Sequence, residues 1–279
     1  MNKFWTRTAS AAVYATLFIG SIYSGRLIGN NVVGLYVLLA FLLFVTIGCT
    51  FEFFRMVGVQ NAKPCRLLGY AFAVITLLGL ALSKVVPSVT VAWTFVIPVA
   101  FALSAIVQLW YQSEQPFRDA AYTVVPMLYI ALPLGLMFSL YFTFNVLMMC
   151  IIMVWVNDSL AYMGGSLVGK HKMWPRHSPG KTWEGTAIGV VGTMILAAFV
   201  GPLFQTRLGL VDWLVLGVIC SVIDTLGDLV ESMLKRSVGV KDSGKIMPGH
   251  GGFLDRFDSL LIIVPFVWLY LYVRFQIFV

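Results

Sequence analysis

The chain is a succession of apolar runs of about 20 residues, the length that an α-helix needs to cross the hydrocarbon core of a bilayer. Two of the runs, between residues 120 and 162, are separated only by a short turn near Phe138–Tyr141, which is typical of a tight hairpin. The pattern predicts an all-α, polytopic integral membrane protein with about nine transmembrane helices. The nine runs are approximately 8–27, 32–51, 67–84, 89–110, 120–138, 140–162, 185–205, 210–232 and 258–277.

Composition favours the same class, because 59% of the residues are hydrophobic and only 11% are charged. A typical soluble domain has about 25% charged residues. The net charge of +7 would also suit a nucleic acid, but we expect no nucleic-acid partner for a chain this apolar. The four cysteines form no CxxC pair and the three histidines no HxxxH pair, so we expect neither a disulfide framework nor a zinc site.

Lys and Arg cluster in three connections, at 52–66, 164–184 and 233–257. With nine spans and a cytoplasmic N-terminus, all three lie on the cytoplasmic side, as the positive-inside rule requires. We therefore predict a single domain, residues 1–279, in the cytoplasmic (inner) membrane. Within it, we expect the N-terminal helices of residues 1–119 to serve packing or dimer contacts, and residues 120–279 to carry the last two of these loops and the helices that flank them.

A stripe of polar residues follows one face of the eighth predicted helix. Its members stand at offsets 0, 3, 7, 10, 11 and 14, which places them on a single helical face. A carboxylate within a span costs about 2.5–3.5 kcal/mol on insertion scales, and two on one face repel each other unless a cation lies between them. Oxygen ligands without His or Cys suit Mg²⁺ rather than zinc. The stripe consists of Ser221, Asp224, Asp228, Glu231, Ser232 and Lys235.

The loop after this helix combines positive charge with glycine. The run PGHGG, residues 248–252, lets the backbone approach a ligand closely. Asp255 and Asp258 stand three residues apart where the ninth helix begins, so they can point the same way. Metal-assisted phosphoryl or nucleotidyl transfer uses this combination of acids, basic residues and a glycine turn. The basic residues that offer charge for phosphate are Lys235, Arg236, Lys241 and Lys245.

A second polar stretch lies upstream, where Asn157 and Asp158 end the sixth predicted span. The sequence GGSLVGK at 164–170 is close to a phosphate-binding P-loop, but His171 replaces the expected Ser or Thr, and a helix rather than a strand precedes it. We therefore exclude a P-loop. The segment SPGKTWEG, residues 178–185, directly precedes the seventh helix, and backbone N–H groups at a helix start suit a phosphate.

Simpler interpretations remain open for each feature. Glu231 and Lys235 could form an ion pair at a helix end, with the aspartates in buried polar contacts between helices. SPGKTWEG could be an ordinary helix cap with an interfacial Trp183, and the loop 233–257 could be merely basic and solvated. A transporter would also keep acids within its spans, but we expect its polar residues at mid-depth in several helices.

Together the motifs resemble the signature of the phosphatidate cytidylyltransferases, also called CDP-diacylglycerol synthases. SPGKTWEG resembles the second motif of that family, which typically reads SPKKTWEG. Gly180 departs from it, because a Lys or Asn is usual there, and this removes one possible phosphate contact. The DGxxAR motif of the CDP-alcohol phosphotransferases is absent. The signature, within roughly 155–260, is matched by Ser232-x-x-Lys235-Arg236, Lys241-Asp242 and His250-Gly251-Gly252-x-x-Asp255-Arg256-x-Asp258.

The resemblance implies a membrane enzyme that joins CTP to phosphatidate, giving CDP-diacylglycerol and pyrophosphate. It implies a requirement for Mg²⁺, with a monovalent cation such as K⁺ alongside, and a helical homodimer whose polar cavity opens to the cytoplasm and the bilayer. Asp228 and Asp255 would be the main magnesium ligands, supported by Asp224 and Asp258. The other residues of the implied catalytic set are Lys235, Arg236, Lys241, Asp242, His250 and Arg256. The implied substrate-binding residues are Asn157, Asp158, Ser178, Lys181, Thr182, Glu184, Ser232, Gly251 and Gly252.

The chemistry of the residue types agrees with this resemblance. Phosphatidate brings its own phosphate oxygen as the nucleophile, so no Ser, Cys or His nucleophile is needed. Two anions must meet, and two like charges about 4 Å apart repel by about 4 kcal/mol at an effective dielectric constant of 20. Magnesium and basic side chains can offset that repulsion. We expect the active site at the cytoplasmic membrane surface, because one substrate is a lipid and the other is water-soluble.

Overall fold

The computed structural model describes residues 3–83, 89–204, 207–244, 246 and 251–275, and these are mostly helical. The α-helices within these ranges are α1 (Lys3–Ile28), α2 (Asn31–Gly58), α3 (Arg66–Leu82), α4 (Val89–Tyr111), α5 (Pro116–Pro126), α6 (Leu132–Ser139), α7 (Phe144–Val168), α8 (Trp183–Val200), α9 (Leu210–Val218), α10 (Asp224–Ser237) and α11 (Leu254–Phe275). Shorter helical turns are two π-helical segments, Met127–Ala131 and Ile219–Ile223, and two 3₁₀ segments, Leu140–Thr143 and Gly201–Phe204.

Each of the nine apolar runs coincides with a helical segment over the residues described, and the predicted break near Phe138–Tyr141 is a 3₁₀ turn. Six segments of the described chain are long and apolar enough to cross a membrane. The chain is therefore a polytopic membrane protein; the count of nine spans and their orientation stay predictions. The six segments are Asn31–Gly58, Pro116–Ser139, Asn145–Val168, Trp183–Phe204, Leu210–Ser237 and Leu254–Arg274. Shorter apolar helices cover Ala12–Ile28, Arg66–Leu82 and Val96–Tyr111.

The all-α prediction misses a small antiparallel hairpin of β1 (Lys172–Trp174) and β2 (Ser178–Thr182), in which Lys172 lies opposite Thr182. The SPGKT part of the second motif is therefore extended rather than irregular. Pro179 contributes to this, because the residue before a proline avoids the helical region. The backbone N–H of Trp183 also donates to the carbonyl of His171 at 3.0 Å, which fixes the end of the hairpin against the start of α8.

The eighth predicted span is not a continuous α-helix. α9 passes through the π-helical segment Ile219–Ile223 into α10, which begins at Asp224. Such π turns usually occur as single bulges within α-helices, frequently at functional sites. The π-helical segment ends at Ile223, directly before Asp224, so it sets the direction in which the polar face of α10 points.

The chain divides into two compact units. The first unit comprises Met1–Tyr141 and Val238–Arg256, and the second comprises Phe142–Ser237 and Phe257–Val279. The prediction of a single domain, with a boundary near residue 119, stays a prediction. In the first unit α2 buries one stripe at helical spacing, consisting of Leu38, Leu42, Val45, Cys49 and Phe53. The core of the second unit includes Met149, Met153, Trp213, Leu216, Phe257 and Leu261.

Within the second unit, α7 and α8 approach each other closely at two glycines. A Cβ atom at Gly185 would lie 2.5 Å from the carbonyl oxygen of Ala161, and one at Gly189 would lie 2.6 Å from Oδ1 of Asn157. Small residues commonly allow such approach between membrane helices, where packing rather than hydrophobicity holds them together. The contact positions the side chain of Asn157 beside α8.

Candidate active site

Three carboxylates of the second unit converge at the start of α11. Asp228 and Glu231 of α10 and Asp258 of α11 each offer an oxygen, and these oxygens all lie within 4.8 Å of one another. The helices can approach because Gly227 has no side chain; a Cβ there would lie 3.0 Å from Cα of Ser259. We call Asp228, Glu231 and Asp258 the acid cluster.

Two lysines contact this acid cluster. Nζ of Lys181 lies 2.7 Å from Oδ2 of Asp228 and donates to the carbonyl of Thr225 at 3.0 Å. Lys235 forms an ion pair with Glu231, one helical turn away. The helix-end ion pair considered from the sequence therefore exists, but Glu231 is fully buried and its carboxylate also belongs to the acid cluster. Positive charge close to these carboxylates offsets their mutual repulsion.

The donor set of the acid cluster suits Mg²⁺, because it consists only of carboxylate oxygens. Two of the aspartates predicted as metal ligands, Asp228 and Asp258, are brought together. Glu231 joins them, a role not predicted from the sequence. The signal for it was present, since Glu231 belongs to the polar stripe.

Asp224 makes a different set of contacts. Its side chain is fully buried, and Oδ2 accepts a hydrogen bond from Nδ2 of Asn157 at 2.7 Å. Asn157 also donates to the carbonyl of Ser221 at 3.3 Å. The helix does not end at Asn157 and Asp158, because α7 continues to Val168; the position of these two residues at the cytoplasmic edge of the membrane stays a prediction. Gly164 lies within this helix, and a Cβ there would lie 2.6 Å from Cδ1 of Ile188 on α8. Asn157 is thus a buried partner of Asp224.

A cavity of about 530 Å³ lies in the second unit, within the range of small-molecule sites. Asp228 belongs both to its wall and to the acid cluster. Tyr162, 79% exposed, also lines the cavity. The cavity therefore joins acidic and basic groups to an exposed aromatic side chain. Its charged and hydroxyl-bearing lining includes Asp158, Ser166, Lys172, Ser178, Lys181, Thr182, Thr186, Thr225 and Asp228.

The second motif contributes both to this cavity and to the local fold. Ser178, Lys181 and Thr182 line the cavity. Thr182 is also the N-cap of α8 and accepts from the N–H of Gly185 at 3.2 Å, so the helix-cap interpretation is confirmed for this residue. Glu184 accepts from the N–H of His171 at 3.2 Å and lies 2.5 Å from its Nδ1, which braces the hairpin.

Asp255 belongs to the first unit, at the start of α11. Its Oδ2 accepts from the N–H of Ser243 at 3.0 Å, the hydroxyl of Ser243 at 2.9 Å and the N–H of Gly252 at 2.8 Å. Gly251 has a φ of +82°, a conformation that glycine adopts without strain. A Cβ there would also lie 2.4 Å from Oδ2 of Asp255, so this position requires glycine for two reasons.

The remaining predicted residues have fewer described contacts in the site. Oγ of Ser232 lies 3.5 Å from Oδ1 of Asp228, and the backbone N–H of Arg256 donates to the carbonyl of Phe253 at 2.9 Å. His250 and Lys245 lie outside the described residues. The structure also adds Lys172 to the cavity wall. Exposed predicted residues are Arg236, Lys241 and Asp242.

Comparison with known proteins gives the family. The chain matches the cytidylyltransferase family over residues 5–274. A phosphatidate cytidylyltransferase of Staphylococcus saprophyticus is 41% identical over 153 residues, covering 53% of this chain and 58% of the relative. One of Bacillus subtilis is 48% identical over 117 residues, covering 42% of this chain and 44% of the relative. The matches thus span about half the length of these relatives. Because the family match covers almost the whole sequence, the chain belongs to the cytidylyltransferase family.

Proposed function

We propose that the protein is a phosphatidate cytidylyltransferase, which transfers CMP from CTP to phosphatidate and releases pyrophosphate. The observation that carries this proposal is the position of Asp228. Its carboxylate belongs to the acid cluster and also lines a cavity that contains Lys181 at 2.7 Å. Negative and positive groups therefore lie side by side where a nucleotide triphosphate and a metal ion would meet. The names of the relatives support the same activity.

In this proposal Asp228, Glu231 and Asp258 hold Mg²⁺. The bound ion would neutralise phosphate charge and polarise a phosphoryl oxygen. Asp224 and Asp255, also implied by the resemblance, stay predicted ligands. Oδ2 of Asp224 is already hydrogen-bonded to Asn157, so it suits a supporting role better than direct ligation. The monovalent cation also stays a prediction.

Lys181 and Lys172 bind the phosphates of CTP in this proposal. Both line the cavity, and Lys181 is held by the carbonyl of Thr225 as well as by Asp228. A lysine ammonium has three donors on a flexible stem, so Lys181 can keep one bond to the protein while it donates to phosphate. The two lysines would thereby offset the repulsion between CTP and phosphatidate, about 4 kcal/mol for charges about 4 Å apart at an effective dielectric constant of 20.

The bond changes are a single substitution at phosphorus. A phosphate oxygen of phosphatidate attacks the α-phosphorus of CTP and forms a new P–O bond. The bond from the α-phosphorus to the oxygen that bridges to the β-phosphate breaks, and pyrophosphate leaves with the electron pair. The attacking oxygen is already ionised, so the chain supplies charge and orientation without a general base.

The lipid substrate requires a site at the membrane surface. The exposed aromatic ring of Tyr162 lines the cavity, and aromatic side chains are enriched where a membrane meets water. We therefore propose that phosphatidate reaches the cavity past Tyr162, from the cytoplasmic leaflet of the inner membrane. The cytoplasmic orientation and the homodimer belong to this proposal and are inferred from the loop charges and the family resemblance.

The proposal is tested by pyrophosphate release from detergent-purified protein. The complete reaction contains CTP, phosphatidate and Mg²⁺, and each is omitted in turn, with diacylglycerol in place of phosphatidate as the matched lipid control. We expect release only in the complete reaction, together with formation of CDP-diacylglycerol. Monodisperse protein that releases no pyrophosphate would contradict the proposal and would favour an ion-flux assay for a transporter.

A further inference from the structure

A buried carboxylate in the first unit belongs neither to the acid cluster nor to the lining of the cavity. Glu52 lies on α2, in the apolar stretch Phe51–Phe54, and its side chain is fully buried. Burial of a charged or polar group is costly unless hydrogen bonds compensate for the loss of water. The position of Glu52 therefore needs a reason, and its contacts provide one.

Glu52 binds two points of the loop that contains the glycine turn. Oε2 accepts from the hydroxyl of Ser243 at 2.9 Å and from the backbone N–H of Leu254 at 2.9 Å. The loop backbone also packs around the carboxylate. A Cβ at Gly244 would lie 1.9 Å from Oε1, and one at Gly252 would lie 2.2 Å from Oε2. Glycine at both positions is what lets the backbone approach the carboxylate of Glu52 this closely.

Ser243 links Glu52 to Asp255. The Ser243 hydroxyl lies 2.9 Å from Oε2 of Glu52 and 2.9 Å from Oδ2 of Asp255, and it accepts from the N–H of Asp255 at 3.3 Å. A hydroxyl has one proton, so Ser243 donates to one carboxylate at a time and is held between them. Arg55, one turn after Glu52, donates to the carbonyl of Ser243. Two side chains of α2 thus fix this residue.

We propose that Glu52 is a positioning residue for the transfer reaction. It anchors the loop between Ser243 and Leu254 and, through Ser243, sets the orientation of the Asp255 carboxylate. The consequence for catalysis rests on the proposed function, whereas the anchoring of the loop does not. A packing role alone would not require an acid at this position.

The structural part is tested by hydrogen exchange of the full chain in detergent. The variants are Glu52→Ala, which removes the carboxylate, and Glu52→Gln, which keeps the shape and one acceptor oxygen. Thr50→Val is the matched control, because Thr50 is equally buried on the same helix and the described residues offer its hydroxyl no hydrogen-bond partner. We expect the amides of Ser243, Gly252 and Leu254 to exchange at least about tenfold faster in Glu52→Ala, less so in Glu52→Gln. Exchange equal to that of Thr50→Val would overturn the proposal.

The catalytic part is tested with the same variants. We expect Glu52→Gln to lower kcat about 10- to 100-fold, as removal of outer partners of metal ligands commonly does, with KM for CTP changed by less than about twofold. If Glu52 acts through Ser243, Glu52→Gln/Ser243→Ala should be no worse than the worse single variant. Additive losses would overturn this part. A wild-type protein without transfer activity would contradict the proposed function. The hydrogen-exchange result would still show whether Glu52 anchors the loop.

Discussion

The carboxylates of Asp228 and Glu231 lie beside lysine ammonium groups, whereas that of Glu52 lies beside a serine hydroxyl and a backbone N–H. Asp228 and Glu231, like Glu52, lie within apolar helical segments. The partners differ in kind, because a lysine can move to another anion but the N–H of Leu254 belongs to the backbone.

This difference separates binding from positioning. Acids whose partners are flexible cations can exchange those partners for a metal ion or release them to a phosphate. An acid whose partners belong to a loop holds that loop in place. The acids of the second unit are therefore suited to binding ligands, whereas Glu52 in the first unit is suited to holding a loop in place. Substitutions in the acid cluster should consequently change ligand binding, whereas substitutions around Glu52 should change the positioning of the loop.

The largest effect is expected for Asp228→Asn. An amide cannot replace the charge of this carboxylate in the acid cluster, so we expect transfer of CMP to fall about 1,000-fold or more, equivalent to about 4 kcal/mol of transition-state stabilisation. The assay is formation of CDP-diacylglycerol by protein that elutes as a single species. Glu114→Gln, which removes an exposed acid, is the control and should retain full activity. Activity in Asp228→Asn within tenfold of wild type would remove this residue from the reaction.

A smaller effect is expected for Lys181→Met, which keeps most of the side-chain length and removes the charge. A hydrogen bond to a charged group contributes about 1.5–3 kcal/mol, so kcat/KM for CTP should fall about 10- to 100-fold. Lys170→Met is the matched control, since Lys170 is exposed in the same connection and does not line the described cavity. Equal kinetic effects of the two substitutions would show that the cavity is not where CTP binds.

The first unit is tested by two glycines of similar conformation. Gly239 and Gly251 have φ of +77° and +82°. Among the described residues, a Cβ at Gly239 meets no atom of a non-neighbouring residue within 4 Å, whereas one at Gly251 meets Asp255. Gly239→Ala should cost about 1–2 kcal/mol of stability from backbone strain and leave turnover unchanged. Gly251→Ala should lower the unfolding temperature further and reduce turnover about tenfold. If Gly239→Ala and Gly251→Ala change the unfolding temperature and the turnover equally, the contact with Asp255 is unimportant.

The smallest effect is expected for Gly180→Lys, which restores the residue type usual in the resembled motif. Among the described residues, a Cβ at Gly180 meets no atom of a non-neighbouring residue within 4 Å, and the φ of Gly180 lies outside the left-handed region, so the side chain fits. We expect kcat within about twofold of wild type and a slightly lower KM for CTP, because an added cation lies beside the cavity. A large loss of activity would show that this strand depends on glycine.

The helices were predictable because a bilayer imposes a length on apolar runs, and the described runs are helical. The acid cluster was predictable in part. The spacing of the stripe placed Asp228 and Glu231 on one face, but the approach of α11, allowed by Gly227, decides which acids meet Asp258. The π-helical segment before Asp224 has no simple sequence signal, and neither does the extension of α7 from residue 162, where the apolar run ends, to Val168.

The role of Glu52 could not be predicted from the sequence. Its partner Ser243 is 191 residues away, and helical periodicity relates only neighbouring turns. The one signal was an isolated acid in an apolar run, which indicates a functional or structural reason without naming a partner.

The most direct test of the acid cluster is equilibrium binding of Mn²⁺, a paramagnetic substitute for Mg²⁺, to purified protein without nucleotide, followed by electron paramagnetic resonance. Wild-type protein should bind the ion, Mg²⁺ should displace it, and Asp258→Asn should weaken binding at least tenfold, because one of three carboxylates is lost. Equal affinity in wild-type and Asp258→Asn protein would contradict the assignment of the acid cluster as the metal site.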